Sequence, residues 1–359
     1  MMNRCLFLNT FYDGFLKQEY SRHKTLASLS YKEQLTHLND QLFGDSDFYS
    51  SGLTAAGFEA EDLIVNCRHL QSAYAREHGI DEQDLFAIIQ KQIHEFDPDV
   101  LYLQDLSLFQ DAHLQFLSNF GRHRKIVGQI ASPIPEHAPL HLYDLVITSF
   151  PHFVDRLRAA GTQSVFQPLA FDSRVLDRID TTSRPVDVSF VGGISSMHAK
   201  GTQSLIDIAE RTTLDIWGYG ADTLPEGHIL KKRHHGPVFG IDLFQAFGRS
   251  KITLNRHIDV AENNANNMRL FEATGCGALL ITDYKDNLNS LFEIGEEVVA
   301  YRSVEEAISL IGYYRDHPEA ARRIAKAGQE RTLRDHSYKA RMVDTARWLH
   351  QLLDGEPLS

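Results

Sequence analysis

NNANNMRLFEATGCGALLITD, at residues 263–283, joins a helical pattern to an apolar run through two glycines. The pattern predicts a helix from about Asn264 to Thr274, with apolar side chains on its adjoining faces. Gly275 and Gly277 can end this helix and allow a tight turn, because glycine adopts the left-handed backbone conformation without steric cost. The apolar run at 278–282 then predicts a buried strand. A helix that leads directly into a buried strand is typical of an α/β fold.

The same alternation continues on both sides of this segment. Short apolar runs separated by helical patterns favour parallel sheets in each half of the chain. The predicted strands of the second half are Val186–Val191, Leu214–Trp217, Ile252–Asn255 and Ala278–Thr282. Those of the first half are Arg4–Asn9, Asp99–Leu103, Lys125–Ile130 and Asp144–Thr148. Residues 81–96 show helical spacing, whereas residues 10–60 are less regular and are expected to form an embellishment over one rim of the sheet.

A polar stretch between the two series, Arg174–Asp187, resembles a linker. The chain of 359 residues is long enough for two domains. It is therefore predicted to be an α/β protein with two Rossmann-like domains that face each other across a cleft. Ligands of open α/β sheets bind in such a crevice, because strand-end loops and helix N-termini converge there.

Composition limits the classes of function. The chain has 36 Lys and Arg against 48 Asp and Glu, a formal net charge of -12, which argues against a nucleic-acid partner. The one basic cluster, residues 231–235 (KKRHH), could meet a phosphate, but a solvated loop is the simpler interpretation. Cys5, Cys67 and Cys276 are too few and too scattered for a disulfide framework or a zinc site, and they indicate a reducing compartment. Without a signal-peptide core or a run of ~20 apolar residues, the chain is expected to be cytoplasmic with no transmembrane segment.

The asparagine-rich helix predicts a nucleotide site. Arg269 and Glu272 would share one helix face, and a carboxylate there can accept hydrogen bonds from both vicinal hydroxyls of a ribose. Asn266 and Asn267 would lie near the helix N-terminus, where free N–H groups and the helix dipole stabilise a diphosphate. From spacing alone, an ordinary Arg–Glu pair on a surface helix explains the same residues.

The succession of motifs from this helix onward is more specific than any one of them. The motifs are NMRLFEA at 267–273, GCGALLITD at 275–283, FEIGEEV at 292–298, SVEE at 303–306, YYRDHPE at 313–319, Gly328, and HSYKAR at 336–341. This order resembles the C-terminal domain of the spore-maturation (CgeB-like) branch of the GT-B glycosyltransferases, within the group 1 glycosyl transferases. The resemblance covers roughly the last 170 residues.

This resemblance implies roles for three residues of the segment. Glu272 would hold the ribose of a nucleotide-sugar donor, and Arg269 would lie near its phosphates. Asp283 would lie at a strand end close to the site.

Two glycine loops complete the implied donor site. Gly192 and Gly193 resemble the first donor-domain loop, which lets the main chain approach the diphosphate closely, and Lys200 beyond them could add a charge. Gly218 and Tyr219 would form the loop under the base. Tyr219 would stack on that base, although an ordinary packed tyrosine explains it equally well.

The resemblance also implies an activity and a division of the chain. The activity is that of a hexosyltransferase-type glycosyltransferase in glycan or glycoconjugate biosynthesis, which moves a sugar from a nucleoside-diphosphate donor to a hydroxyl acceptor without a cofactor. Residues 1–173 would be the acceptor-side domain and residues 174–335 the donor domain. Residues 336–359 would form a helix that crosses back to the first domain.

The sequence departs from the family pattern at the position eight residues before Glu272. Retaining enzymes of the glycogen-synthase-like type usually have a second glutamate there, but this chain has Asn264, so inversion and retention both stay open. An inverting route needs a general base on the acceptor side. Asp13, in the loop after the first strand, is the first candidate, and His137 is the second. A turn residue and a surface histidine are their respective structural alternatives.

No Asp-X-Asp metal motif is present, so the charge of the leaving diphosphate is expected to be offset by the helix dipole, Arg269 and Lys200 rather than by a metal ion. Two other functions fit the same donor site: a nucleotide-sugar epimerase of GT-B fold, and a non-catalytic nucleotide-sugar-binding protein. The aromatic residues within 10–60 argue mildly for an acceptor pocket and so for the transferase.

Overall fold

The computed structural model describes residues 2–119, 125–194 and 199–358. The chain divides into two compact units, of which the first comprises Met1–Pro168 with Tyr338–Ser359 and the second comprises Leu169–Ser337. Among the described residues, no helix is both long enough and apolar enough to cross a membrane.

The first unit is built on a six-stranded parallel sheet with the strand order β2-β1-β3-β4-β5-β6. Its strands are β1 Arg4–Asn9, β2 Glu59–Ile64, β3 Val100–Leu103, β4 Lys125–Ile130, β5 Leu145–Thr148 and β6 Ser164–Phe166. The strands are buried along most of their length, as expected for a parallel sheet covered on both faces. The four predicted strands are confirmed. β2 and β6 were not predicted. β2 begins with alternating acidic residues, and β6 has only three residues, so neither shows an apolar run.

Eight α-helices are described in the first unit. They are α1 Asp13–Arg22, α2 Tyr31–Asp40, α3 Phe48–Ala55, α4 Arg68–His78, α5 Leu85–Phe96, α6 Asp111–Ser118, α7 Pro151–Ala159 and α14 Tyr338–Asp354. The expectation that residues 10–60 are irregular is wrong, since α1, α2 and α3 lie there. Ser30 and Glu33 form a capping box that starts α2, and the Phe15 and Phe43 rings stack 4.2 Å apart in the core.

The last helix, α14, packs against α3 within the first unit. Gly52 of α3 allows a close approach, because a Cβ at this position would lie 2.6 Å from Met342 Cγ. The Tyr338 hydroxyl donates a 2.9 Å hydrogen bond to Asp45. Two chain segments separated by the whole second unit therefore build one core.

The second unit contains a five-stranded parallel sheet in the order β11-β10-β9-β7-β8. Its strands are β7 Val186–Val191, β8 Asp215–Trp217, β9 Ser250–Leu254, β10 Leu279–Asp283 and β11 Val299–Tyr301. Its helices are α8 Ala199–Arg211, α9 Ile241–Gly248, α10 Arg269–Gly275, α11 Leu288–Leu291, α12 Val304–Asp316 and α13 Pro318–Asp335. Ser303 caps α12 and Pro318 lies in the first turn of α13, as the sequence predicts.

The helix at the centre of the sequence prediction is shorter than expected. It begins at Arg269, not near Asn264, and ends at Gly275. The physical reason is that asparagine side chains satisfy the backbone outside the helix. Asn287 Oδ1 accepts a hydrogen bond from the Ala265 amide, which lies before the helix, and Asn267 Oδ1 accepts one from the Leu270 amide in the first turn of α10.

Candidate donor-binding site

Most of the predicted donor-site residues lie at the carboxyl ends of the second sheet. β7, β8, β9 and β10 are parallel, so the residues that follow them share one edge of the sheet. The residues at this edge are Gly192 and Gly193 after β7, Gly218 and Tyr219 after β8, Asn255, Arg256 and His257 after β9, and Asp283 at the end of β10.

Arg269 and Glu272 form an ion pair beside this edge. Arg269 Nη1 lies 2.5 Å from Glu272 Oε2, and Glu272 is only 4% exposed. Arg269 Nε donates a 2.9 Å hydrogen bond to the carbonyl oxygen of Val191, the last residue of β7. The pair is therefore fixed at a strand end, and the interpretation as a surface pair is wrong. Within the described part of the chain, Glu272 Oε1 makes no hydrogen bond, so it can accept one from a ligand.

Close packing fixes the position of α10 and its carboxylate. A Cβ at Gly275 would lie 2.5 Å from the Phe171 ring, and one at Gly328 in α13 would lie 2.3 Å from a backbone oxygen. The hydroxyl oxygens of Thr274 and Thr332 are 2.6 Å apart in the buried contact between α10 and α13. The glycines in these motifs thus serve close helix packing as well as the turn into β10.

The two glycine loops are hydrogen-bonded to each other. The amide of Gly192 donates to the Trp217 carbonyl and the amide of Ile194 donates to the Tyr219 carbonyl, each over 2.9 Å. Between them, the Gly193 amide makes no hydrogen bond with a described residue. A Cβ at Gly193 would lie 2.5 Å from the Tyr219 ring, so this ring covers Gly193 while remaining 55% exposed. An unpaired amide beside an exposed aromatic face suits a phosphate next to a planar base.

Replacing Gly218 by alanine is expected to destabilise the second unit. Gly218 has a φ of +143°, and its Cβ would lie 2.0 Å from the Gly192 carbonyl oxygen. The backbone conformation alone costs about 1–3 kcal/mol for a residue with a side chain, and the steric overlap adds to this cost. Urea unfolding measures the change. Gly312→Ala in α12, where no atom lies within 4 Å, is the matched control and is expected to gain about 0.5–1 kcal/mol. Equal free energies of unfolding for the two variants would contradict the strain argument.

Asp283 lies at the end of β10, as predicted, and its carboxylate is hydrogen-bonded and paired with neighbouring side chains. Its Oδ1 accepts hydrogen bonds from the amide and from Nδ1 of His257, over 3.0 and 2.7 Å. Burial by itself would raise the pKa of Asp283, but the hydrogen bonds and charge of His257, with the charge of Lys285, hold this pKa below its ordinary value. Asp283 is therefore an anion that orients His257.

His257 and Arg256 belong to the site, although the sequence motifs do not single them out. The His257 side chain is fully buried, and its Nε2 has no hydrogen-bond partner among the described residues. The Arg256 guanidinium lies against α8, where a Cβ at Gly201 would be 1.7 Å from Nη1. Together they place one cation and one imidazole at the end of β9, beside the end of β7. Both residues directly follow the predicted strand Ile252–Asn255, and this position in the sequence could have identified them as candidates.

The predicted asparagines have different roles. Asn267 Nδ2 donates to Asn255 Oδ1 over 3.0 Å and to the Arg256 carbonyl over 3.1 Å, so its side chain shapes the loop that carries Arg256. Asn266 is 6% exposed in the same loop. Lys200 lies in the first turn of α8, and its side chain falls outside the described part of the structure.

Both candidate bases lie in the first unit, in segments that follow strands of its sheet. Asp13 is exposed and is the first residue of α1, which follows β1. His137 is exposed in the loop between β4 and β5. β3 separates β1 from β4 in the sheet.

The basic cluster at residues 231–235 is held by local acceptors. Arg233 and His235 contact the carboxylate of Asp215 over 2.8 and 2.6 Å, and Lys231 contacts Glu226 over 2.6 Å. His234 Nε2 lies 2.9 Å from the Gly218 carbonyl oxygen and supports the loop after β8. Lys231, Arg233 and His235 are therefore paired with acidic side chains of the same unit.

Comparison with known families matches residues 201–347 to the model described as "Glycosyl transferase-like". This range contains α10 and the motifs that follow it. No curated protein sequence matches the chain significantly.

Solved structures resemble almost the whole chain. Sucrose-phosphate synthase from Thermosynechococcus elongatus matches with a TM-score of 0.58 and 12% identity, over 99% of this chain and 100% of that one. A glycosyltransferase from Rickettsia africae matches with a TM-score of 0.59 and 11% identity, over 99% and 100%. Anabaena HepE in complex with UDP-glucose matches with a TM-score of 0.58 and 14% identity, over 97% and 99%. The chain has the GT-B glycosyltransferase fold, with two Rossmann-like α/β units.

Proposed function

We propose that this protein is a glycosyltransferase of the hexosyltransferase type, which transfers a sugar from a nucleoside diphosphate to a hydroxyl acceptor. The observation that carries the proposal is the buried carboxylate of Glu272, which is fixed by Arg269 at the end of β7 and keeps one oxygen for a ligand. The order of the motifs from 267 to 341 further supports the spore-maturation (CgeB-like) branch of the group 1 enzymes.

The donor would lie along the carboxyl edge of the second sheet. Glu272 Oε1 would accept hydrogen bonds from the ribose hydroxyls, and the base would stack on the exposed ring of Tyr219. The diphosphate would accept a hydrogen bond from the Gly193 amide and form an ion pair with the guanidinium of Arg256. Anabaena HepE was solved with UDP-glucose, which makes UDP-linked sugars the first donors to test.

In the proposed reaction, an acceptor hydroxyl oxygen attacks the anomeric carbon as the bond to the diphosphate breaks. The hydroxyl proton passes to the carboxylate of Asp13, or to His137 if Asp13 does not serve, and the nucleoside diphosphate leaves with its negative charge. Arg256, Arg269, Lys200 and main-chain N–H groups would stabilise that charge without a metal ion. Adding Mg²⁺ or Mn²⁺ to the purified enzyme is therefore expected to leave the rate unchanged, and a dependence on either ion would contradict this step.

The compartment we propose is the cytoplasm. Cys5, Cys67 and Cys276 are all buried as free thiols, which fits a reducing compartment.

Release of the nucleoside diphosphate tests the activity. A panel of UDP-, GDP- and ADP-sugars is incubated with the protein, with and without sugar, glycoside and phenolic acceptors. Release that requires an acceptor supports the transferase. Isomerisation of the donor without release would indicate an epimerase, and binding without turnover would indicate a non-catalytic binding protein. The anomeric configuration of the product separates inversion from retention.

Arg256→Gln is expected to weaken UDP binding about 10–100-fold, because one charge-assisted contact to a phosphate is worth about 1.5–3 kcal/mol. Binding of uridine, which has no phosphate, is expected to stay unchanged, and calorimetry measures both. Arg249→Gln is the control, since Arg249 is exposed at the opposite, amino-terminal end of β9. Equal losses of affinity for UDP and for uridine would show that Arg256 does not contact the phosphates.

A further inference from the structure

A group of metal-ligand side chains lies in the first unit, away from the donor-site residues in sequence. Glu19 and His23 are one helical turn apart at the end of α1, and His37 lies in the last turn of α2. The ligand atoms of these three residues all lie within 4.8 Å of one another. Glu19 Oε2 is 3.0 Å from His37 Nε2 and 3.8 Å from His23 Nε2.

These separations suit tetrahedral coordination. Zn²⁺ binds histidine nitrogen and carboxylate oxygen at about 2.0–2.2 Å, so two ligand atoms of a tetrahedral site lie roughly 3.3–3.5 Å apart. The two observed distances from Glu19 bracket this range, and small rotations of the side chains would equalise them. The His23 and His37 ring centroids are 4.6 Å apart at 68°, and the Nε2 atoms of both rings approach the same Glu19 oxygen.

Burial adds a second argument. The Glu19 side chain is 3% exposed, whereas the His37 and His23 side chains are 23% and 50% exposed. Among the described residues, the ionic partners of this buried carboxylate are the two imidazoles, and no lysine or arginine pairs with it. A bound dication would neutralise the buried charge while leaving both imidazoles neutral. The exposed face of His23 gives the ion a path from solvent.

We propose that Glu19, His23 and His37 form a binding site for a divalent transition-metal ion of the Zn²⁺ class. Two imidazoles and one carboxylate are the protein ligands of an open zinc site, with the fourth position left to water. The ion would clamp α1 to α2. The site does not depend on the proposed sugar transfer, because it uses none of the donor-site residues.

Direct metal binding tests this site in the full-length protein. The chelator-treated, dialysed protein is titrated with Co²⁺, whose visible absorption reports tetrahedral coordination, and then with Zn²⁺ in competition. One equivalent of Co²⁺ is expected to bind and to be displaced by Zn²⁺. His23→Ala, His37→Ala and Glu19→Gln are each expected to weaken binding by more than the ~10–100-fold loss that follows removal of an outer-shell partner.

His78→Ala is the matched control. His78 also contacts a glutamate on a helix, with Nε2 3.6 Å from Glu95, but no second imidazole completes a three-ligand group among the described residues. This variant is expected to bind Co²⁺ as the unmodified protein does. Because His23 is half exposed, His23→Ala keeps the test decisive if Glu19→Gln unfolds. Absence of Co²⁺ binding to the unmodified protein, or equal affinity in His23→Ala and His78→Ala, would overturn the site.

Discussion

Glu272→Gln is expected to weaken binding of the nucleotide donor about 100-fold while the protein stays folded. The substitution keeps the shape of the side chain but removes the negative charge that would accept hydrogen bonds from the two ribose hydroxyls. Hydrogen bonds to a charged group are worth about 1.5–3 kcal/mol each, so losing part of two of them accounts for this factor. Calorimetry with UDP and with the best donor sugar measures the loss. Thermal unfolding without ligand verifies that the fold survives.

Glu319→Gln is the control for this substitution. Glu319 and Arg322 are also three residues apart on a helix, α13, but both side chains are exposed. The Glu319 variant is expected to bind the donor normally. Unchanged nucleotide affinity in Glu272→Gln, with the fold intact, would remove Glu272 from the ribose site and with it the main support for the proposed function.

Asp13→Asn is expected to lower the rate of sugar transfer by about 10²–10⁴-fold, the usual contribution of a general base. Donor affinity is expected to stay unchanged, because no donor-site residue of the second unit is altered. Steady-state kinetics with a saturating donor give the rate, and calorimetry gives the affinity. The change should appear in kcat with little effect on the KM for the donor.

Asp111→Asn separates catalysis from an effect on the helix. Asp111, like Asp13, is an exposed aspartate at the first position of a helix in the first unit, so both substitutions lose the same favourable interaction with a helix N-terminus. The Asp111 variant is expected to keep full activity. If Asp13→Asn turns over at the normal rate, His137 or a retaining route becomes the better explanation.

The parts of the fold that have a clear local pattern of apolar residues could be predicted from the sequence. Apolar runs such as Val186–Val191 and Lys125–Ile130 became strands with these bounds. Residues 10–60 were misjudged because their helices are short and aromatic, and their apolar residues serve packing between elements. The start of α10 was misjudged because helical spacing does not reveal that asparagine side chains will take over the backbone hydrogen bonds.

The candidate site was predicted in part, for a physical reason. The ion pair between Arg269 and Glu272 follows from helical spacing and needs no tertiary information. Arg256 and His257 acquire meaning only when β9 lies beside β7 and β10 in the sheet. The roles assigned to Asp13 and to the donor-site residues stay predictions, which the variants above test.

The contact between α14 and α3 has a consequence for biosynthesis. During translation the second unit, which is continuous in the chain, is complete before α14 leaves the ribosome, whereas the first unit must wait for residues 338–354. Until then, the surface around Gly52 that contacts Met342 in the folded protein is exposed. A nascent or prematurely terminated chain that stops before Tyr338 would therefore expose an apolar groove to chaperones and proteases, even though most of its first unit has already been synthesised.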